Sequence, residues 1–274
     1  MEKRKKGFLK QDEASKWDAI ADSYEERYQI SSDDIMYGPL LPGEKELKLL
    51  GNVKQKAILE VGSGSGMNSI YLARKGAKAT AFDISQRKLD WGKLEAQKKK
   101  VKVDFVQGDF EIVSKYFKPG SFDIILSAFA LQYCKTLLSQ KKTFKQLYKI
   151  LKKNGKIIIS LDHPIRALGK WNAKDEFSIN NYFDNSLKRW SYDFPEKKIS
   201  VEMEGSFKTI SDYTNSLIEA GFVVDKLLEP MPIFNSKISN FGKKSRYGTN
   251  SKKDPYSFDH LSRIPGTLIL VAHK

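Results

Sequence analysis

The sequence has few of the residues that build disulfide frameworks or metal centres. Among its 274 residues there is one cysteine, Cys134, and there are three histidines. A single cysteine excludes a disulfide within the chain and fits a reducing compartment. Because there is neither a cysteine pair nor a His-Glu-x-x-His motif, metal catalysis has no support, and we predict no metal site.

Long hydrophobic runs and a secretory signal are also lacking. The best apolar stretch, residues 122–133, is too short to span a bilayer and contains polar residues. The N-terminal MEKRKKGFLK is positively charged, but no apolar run follows it. We therefore predict a cytoplasmic protein without a membrane partner.

Arginine is scarce compared with lysine. The net charge is +15, from 48 basic and 33 acidic residues, and most of the basic residues are lysines. This sign is compatible with nucleic-acid binding. The lysines are scattered in short clusters along the whole chain, however, whereas phosphate-binding sites favour arginine in a localised patch. A small-molecule partner is favoured, and nucleic acid remains the alternative.

From residue 56 onward, apolar strands alternate with amphipathic helices. Strands are predicted at 56–61, 78–83, 103–109, 122–129, 156–161, 222–228 and 267–273, and helices at 67–76, 85–100, 139–155 and 209–221. Gly155 is the predicted stop of the third helix. Continuous apolar strands between helices are typical of an α/β fold with a buried, mostly parallel sheet and helices on both faces.

Other segments depart from this alternation. We predict an N-terminal helical cap over residues 1–50, with a helix at 15–28, followed by one domain over 51–274. Insertions at about 162–206 and about 230–265 are expected to cover a substrate. Whether the aromatic side chains of the first insertion contact the substrate or pack on the sheet remains open. The same alternatives apply to Tyr24 and Tyr28 in the N-terminal helix.

Three glycines at alternate positions, Gly62, Gly64 and Gly66, follow the first predicted strand. In an open parallel sheet, ligands bind beyond the C-terminal strand ends, where Asp83 ends the second strand and can accept hydrogen bonds from a ribose diol. The NAD fingerprint G-x-G-x-x-G would need a glycine at Met67, which disfavours an NAD-dependent oxidoreductase. A negative charge before the loop, at Glu60, suits an amino group better than a pyrophosphate. The pattern predicts an adenosine-like ligand.

Four motifs in order, EVGSGSG, AFDIS, VQGDF and FDIILSAFALQY, resemble those of class I S-adenosylmethionine-dependent methyltransferases of the type 11, ubiquinone-biosynthesis-like group. The resemblance is strong over about residues 50–160 and extends as a fold match through 209–229 and 266–273. It implies a Rossmann-like, seven-stranded sheet of order 3-2-1-4-5-7-6, with strand 7 antiparallel. It also implies S-adenosylmethionine as cofactor and S-adenosylhomocysteine as product.

The resemblance assigns cofactor-binding positions that follow the first four strands. These positions are Glu60, Gly62, Ser63, Gly64, Gly66, Asp83, Ile84, Asp109, Phe110, Ser127, Ala128 and Gln132.

The implied roles differ along the cofactor. The glycine loop holds the methionine part, Asp83 the ribose, and Ile84 packs on the adenine. Asp109 receives the adenine amino group, although a helix N-cap is an alternative for this residue. The backbone at Ser127 faces the cofactor amino group. Gln132 stands where relatives often have histidine.

Methyl transfer from a sulfonium is an in-line displacement, in which the protein mainly aligns the acceptor and excludes water. A general base is needed only for an acceptor that is protonated at working pH. His163, at the end of the fifth strand, is the best candidate, with a turn cap as its structural alternative and Asp162 as a weaker base. Cys134 lacks the proline-cysteine context of a methylation nucleophile and is interpreted as a structural thiol.

The sequence therefore predicts a methyltransferase acting at oxygen or nitrogen of a small molecule. Three alternatives remain: an RNA methyltransferase, an NAD-dependent oxidoreductase, and a non-catalytic subunit that binds the cofactor.

Overall fold

A computed structural model describes residues 13–233 and 256–274 of the chain. The helices are α1 (Glu13–Tyr28), α2 (Glu44–Leu47), α3 (Met67–Arg74), α4 (Gln86–Lys98), α5 (Leu137–Ile150), α6 (Pro164–Leu168), α7 (Ile210–Glu219) and α8 (Phe258–Leu261). The strands are β1 (Ala57–Val61), β2 (Lys78–Asp83), β3 (Val103–Gln107), β4 (Phe122–Ala128), β5 (Leu151–Asp162), β6 (Gly169–Trp171), β7 (Phe177–Ile179), β8 (Lys188–Phe194), β9 (Ile199–Gly205), β10 (Val223–Leu228) and β11 (Thr267–His273). None of the helices in these ranges is long and apolar enough to cross a bilayer.

Seven strands form the central sheet, in the order β10-β11-β5-β4-β1-β2-β3. Numbered along the chain, these strands have the order 3-2-1-4-5-7-6. Strand β11 runs antiparallel to both β5 and β10, whereas the other neighbouring strands are parallel. The predicted fold class and strand order are confirmed.

The sheet is buried because each face packs against a hydrophobic cluster. On one face, side chains of α5 and α7, including Phe144 and Tyr213, pack on the central strands. On the other face, α3 and the segment 35–53 pack there through side chains such as Leu72 and Leu50. Strands enclosed on both sides can be continuously apolar, which explains runs such as AILEV in β1.

One predicted boundary is wrong. Helix α5 ends at Ile150, and β5 begins at the next residue, so that Gly155 lies inside the strand and does not end the helix. The buried Leu151 pairs with Phe122, and the ladder then shifts so that Ile124 pairs with Lys156. Tertiary burial of Leu151 therefore outweighs the helical pattern of the lysine-rich segment.

The first insertion forms two antiparallel pairs, β6–β7 and β8–β9. Side chains of the second pair, including Phe194 and Met203, pack around Ile20 of α1. The β8–β9 pair and α1 thus pack on each other through a shared hydrophobic cluster, and the role of the predicted cap and insertion as a substrate cover stays a prediction. Most of the second predicted insertion, 230–265, falls on residues 234–255, and these lie outside the described residues, as do residues 1–12 of the cap.

Candidate active site

The glycine loop connects β1 to α3 at the C-terminal edge of the sheet. Its Gly62 and Ser63 amides donate to the Phe82 carbonyl at 2.8 and 3.1 Å. Gly62 has φ +67°, and a Cβ there would overlap Ala130 Cβ. At Gly64, with φ +56°, an added Cβ would meet only Lys88 Cδ within 4 Å, at 3.9 Å. The space above Gly64 is therefore open, and any side chain would fill it.

Glu60 is buried beneath this loop. Its Oε1 accepts a hydrogen bond from Asn68 Nδ2 at 2.9 Å, and its Oε2 accepts from Ser69 N at 2.9 Å and Ser69 Oγ at 2.6 Å. Burial raises the pKa of Glu60 to about 7, against the effect of these hydrogen bonds. A cationic group bound nearby would favour the ionised form.

Asp83 links the glycine loop to the end of β2. Its Oδ2 accepts a hydrogen bond from Gly64 N at 2.7 Å, and its Oδ1 accepts from Ser85 N at 2.9 Å. Each carboxylate oxygen can accept another hydrogen bond, which leaves capacity for a pair of hydroxyls. Burial raises the pKa of Asp83, while the positive charge of Lys88 opposes this effect.

A first cavity opens over these groups and is covered by α1. Eight of the predicted cofactor-binding residues line it: Glu60, Gly62, Ser63, Gly64, Asp83, Ile84, Phe110 and Ala128. Sequence reasoning did not assign Trp17, Glu25 or Lys88 to the site, although all three also line this cavity. Glu25 connects α1 to the loop because its Oε2 accepts a hydrogen bond from Ser65 Oγ at 2.8 Å.

Lys88 is a buried cation in the first cavity. Its Nζ lies 3.6 Å from the ring centroid of Tyr24 and 4.4 Å from that of Trp17. Burial lowers the pKa of Lys88, while the charges of Glu25 and Asp83 raise it. A signal for this residue existed in the sequence, since Lys88 shares the buried face of α4 with Leu89.

Three predicted cofactor-binding residues do not line the first cavity and have structural roles instead. Gly66 is the N-cap of α3. Asp109 Oδ1 accepts a hydrogen bond from Glu111 N at 2.8 Å and caps a 3-10 helix, which leaves its other oxygen for a ligand. Ser127 Oγ donates to Val61 O at 3.0 Å, so its hydroxyl proton is already used within the protein.

His163 is fully buried and lines neither of the two cavities described here. Its Nδ1 accepts a hydrogen bond from Ile165 N at 3.2 Å and caps α6, and its Nε2 lies 2.8 Å from Glu229 Oε1. Burial lowers the pKa of His163, with Glu229 opposing the shift. A role as general base would require the ring to leave these contacts, and that role stays a prediction.

A second cavity, of about 670 Å³, lies between α1, β8 and the segment after β5. Gln132 lines this second cavity and not the first. Three residues line both cavities, namely Tyr24, Phe129 and Tyr133. Phe129 has φ +55°, a strained conformation for a residue with a bulky side chain, and such strain clusters at functional sites.

Two other candidate groups lie away from the cavities. Cys134 is buried, lines neither cavity, and burial raises the pKa of its thiol to about 12. Asp175, Asp259 and His260 have ligand-type atoms within 4.8 Å of one another. The Arg263 guanidinium lies 2.9 Å from Asp175 and 3.1 Å from Asp259. These carboxylates therefore already have a cationic partner.

Comparisons with known proteins indicate a methyltransferase. Residues 59–159 match the family model described as a methyltransferase domain. The chain is 27% identical to an uncharacterized protein of Haemophilus influenzae over 77% of this chain and 84% of that protein. It is 30% identical to a ubiquinone biosynthesis O-methyltransferase of Pelagibacter ubique, over 41% of this chain and 43% of that protein. A putative S-adenosylmethionine-dependent methyltransferase from Listeria monocytogenes has the same fold, with a TM-score of 0.62, 23% identity, and coverage of 83% of this chain and 94% of that one.

Proposed function

We propose that this chain, which is a class I S-adenosylmethionine-dependent methyltransferase, methylates an oxygen or nitrogen atom of a small molecule. The observation that supports this acceptor class is the pair of adjoining cavities, which share Tyr24, Phe129 and Tyr133. A cofactor in the first cavity would present its methyl group at this junction to an acceptor in the second.

The lining of the first cavity suits the cofactor at both ends. The free acceptor capacity of Asp83 matches a ribose diol, and Ile84 and Phe110 offer apolar contacts for the adenine. The open space over Gly64 would receive the cofactor chain at close range. Glu60 would face its amino group with a negative charge. These residue roles are part of the proposal.

When bound, S-adenosylmethionine would supply an electrophilic methyl group: the acceptor lone pair would form the new bond to carbon, the electrons of the carbon–sulfur bond would return to sulfur, and the acceptor proton would pass to solvent after the transfer. The chain aligns the acceptor and keeps water from the junction. The Tyr133 and Tyr192 hydroxyls lie 3.3 Å apart at the cavity wall. Burial raises the pKa of Tyr133 well above its usual value and that of Tyr192 to about 12, so both hydroxyls keep their protons and neither is a base at neutral pH.

A recessed cavity favours a small acceptor over RNA, which remains the alternative.

To test this, purified protein is incubated with methyl-tritiated S-adenosylmethionine and either a cell extract filtrate or total RNA. Label is expected in the filtrate. Replacing Tyr133 by alanine should abolish the transfer, whereas Lys98→Ala, on the exposed surface of α4, should not alter it. Label in RNA alone would contradict the proposal.

A further inference from the structure

Eight of the eighteen residues that line the second cavity have aromatic rings. These are the rings of Tyr24, Tyr28, Phe129, Tyr133, Trp190, Tyr192, Phe207 and Tyr256. Several contact one another, with ring centroids 5.7 Å apart for Tyr133 and Trp190 and 5.8 Å apart for Tyr24 and Tyr192. Rings that support one another in this way form a rigid wall, which suits a flat ring better than a flexible chain.

The charged residues of the wall have an excess of positive charge. Basic side chains come from Arg27, Arg166, Lys188 and Arg189, and acidic ones from Asp162 and Asp193. Arg166 pairs with Asp162 inside the cavity. The other three basic residues have acidic partners that do not line the cavity, namely Glu196 for Arg27, Asp184 for Lys188, and Glu204 and Glu202 for Arg189. In the lining itself the basic groups outnumber the acidic ones four to two, and an anionic group near β8 would share these cations with their partners.

Gln132 adds a polar group to the inner end of this cavity. Only 4% of the residue is exposed, and its Oε1 has no hydrogen-bond partner among the described residues. A buried amide oxygen without a partner is destabilising, and a ligand that donates a hydrogen bond would remove this penalty. Gln132 directly precedes Tyr133, which lines both cavities, so a ligand bound to its carboxamide would lie near the methyl-transfer junction.

We propose that the acceptor is a planar aromatic molecule with an anionic substituent, and that its hydroxyl or amino group hydrogen-bonds to the Gln132 carboxamide. The inference rests on the proposed function, because it gives the acceptor of the same site a chemical class. The aromatic wall holds the ring, the basic residues near β8 attract the anion, and Gln132 directs the nucleophilic atom towards the junction. Gln132 is thereby a specificity-determining residue.

The test measures binding to protein saturated with S-adenosylhomocysteine, by calorimetry. The probes are the three hydroxybenzoates and the three aminobenzoates, with benzoate lacking the donor and the matching hydroxy- and aminobenzamides lacking the charge. At least one hydroxy- or aminobenzoate should bind about ten-fold more tightly than benzoate and more tightly than its own amide. If no hydroxy- or aminobenzoate binds while S-adenosylhomocysteine does, the acceptor class is wrong and the cofactor function stands. If S-adenosylhomocysteine itself does not bind, the proposed function fails first.

Gln132→Leu separates the hydrogen bond from packing. The variant should weaken the preferred hydroxy- or aminobenzoate about ten-fold and leave benzoate and S-adenosylhomocysteine unchanged. Gln140→Leu is the matched control, because Gln140 is also buried with an unpartnered Oε1 but lines neither cavity. Equal weakening of benzoate and the preferred ligand by Gln132→Leu would overturn the role of Gln132.

Arg189→Gln tests the charge without disturbing the core, since this side chain is 63% exposed and its partner Glu204 keeps Lys135. Carboxylate ligands should bind about two- to five-fold more weakly, and their amides equally well. Arg74→Gln, far from the cavity wall, is the control. A variant that weakens carboxylates and amides alike would overturn the anion preference.

Discussion

Asp83 connects the two motifs that predicted the cofactor site. Its carboxylate, at the end of β2, accepts a hydrogen bond from the glycine loop after β1. In the proposed site it also binds the ribose. Asp83→Asn should weaken S-adenosylhomocysteine binding by about 1–3 kcal/mol, the scale of a lost charge-assisted hydrogen bond. Calorimetry measures this change. Asp123→Asn is the control, since Asp123 also accepts a backbone hydrogen bond, from Ala57 N at 2.8 Å, but lines neither cavity. Equal affinity in both variants would remove the ribose assignment.

Lys88 places a positive charge on the Tyr24 ring, beside the proposed position of the sulfonium. Lys88→Met should therefore increase affinity for the cationic S-adenosylmethionine relative to the neutral-sulfur product by about ten-fold or more, because two like charges within about 10 Å repel by more than about 1.4 kcal/mol in an effective dielectric of about 20. The measurement is the ratio of the two dissociation constants. Lys98→Met, on the exposed part of the same helix, should leave this ratio unchanged. An unaltered ratio in Lys88→Met would mean that the ammonium does not act on the sulfonium.

Glu60 gives the site a pH dependence near neutrality. Because burial raises its pKa to about 7, the carboxyl is mostly protonated below that pH and ionised above it. A bound amino group favours the ionised form, so affinity for S-adenosylhomocysteine should fall about ten-fold as the pH drops from about 8 to about 6. Glu60→Gln should bind weakly at every pH in this range. A wild-type affinity that does not vary with pH would argue against contact between Glu60 and the amino group.

At the scale of elements, α1 covers the first cavity through polar contacts with α4. Asp22 accepts hydrogen bonds from Arg87 Nε at 2.9 Å, Arg87 Nη2 at 2.7 Å and Trp91 Nε1 at 2.7 Å, and Asp18 accepts one from Ser85 Oγ at 2.6 Å. The two contacts with Arg87 are exposed and each is worth little, whereas those with Trp91 and Ser85 are half-buried. We therefore expect α1 to uncover the cavity by separating from α4 rather than from the β8–β9 pair, on which Ile20 is packed.

Asp22→Ala tests this cover. Loss of the Arg87 and Trp91 contacts should destabilise the closed position of α1 by about 1 kcal/mol, giving about five-fold faster amide exchange in residues 13–28. Release of S-adenosylhomocysteine should accelerate as well. Asp33→Ala, which breaks the exposed pair with Arg74, is the control. Faster exchange throughout the sheet would show that Asp22 supports the whole fold rather than the cover.

The central sheet could be predicted from the sequence because both of its faces are buried. Its strands are therefore continuously apolar, and the helices that cover it are amphipathic. It missed β8 although Trp190, Tyr192 and Phe194 alternate with exposed residues, a period typical of a half-buried strand. The aromatic residues of the insertion were noted as a group, and their spacing was not used. Sequence reasoning therefore found the scaffold and left the cover as a segment without defined structure.

The two cavities also differ in how far the sequence alone could predict them. The glycine loop and Asp83 follow strands whose ends meet in any parallel sheet, so local pattern was sufficient. The second cavity combines residues from α1, the segments after β4 and β5, and β8, which only tertiary packing brings together. Gln132 was accordingly predicted on the cofactor side, and its placement beside the acceptor cavity depends on contacts between distant segments.

At the scale of the whole molecule, cofactor binding should appear as thermal stabilisation. A ligand that binds only the folded state stabilises it by about 2.7 kcal/mol at a hundred times its dissociation constant. For a chain of this size that corresponds to a rise in melting temperature of about 5–10 °C. S-adenosylhomocysteine should produce this rise in a thermal melt, and NAD at the same concentration should not. Stabilisation by NAD alone would favour the oxidoreductase alternative.

The enclosure of Cys134 has a practical consequence for following α1 in solution. Maleimide dyes react with thiolates, and a buried thiol with a pKa of about 12 presents almost none at neutral pH. A cysteine introduced at the exposed Ala19 of α1 would then be labelled against a silent background. A fluorophore at this position would report the opening and closing of the helix in real time, without prior removal of the native cysteine.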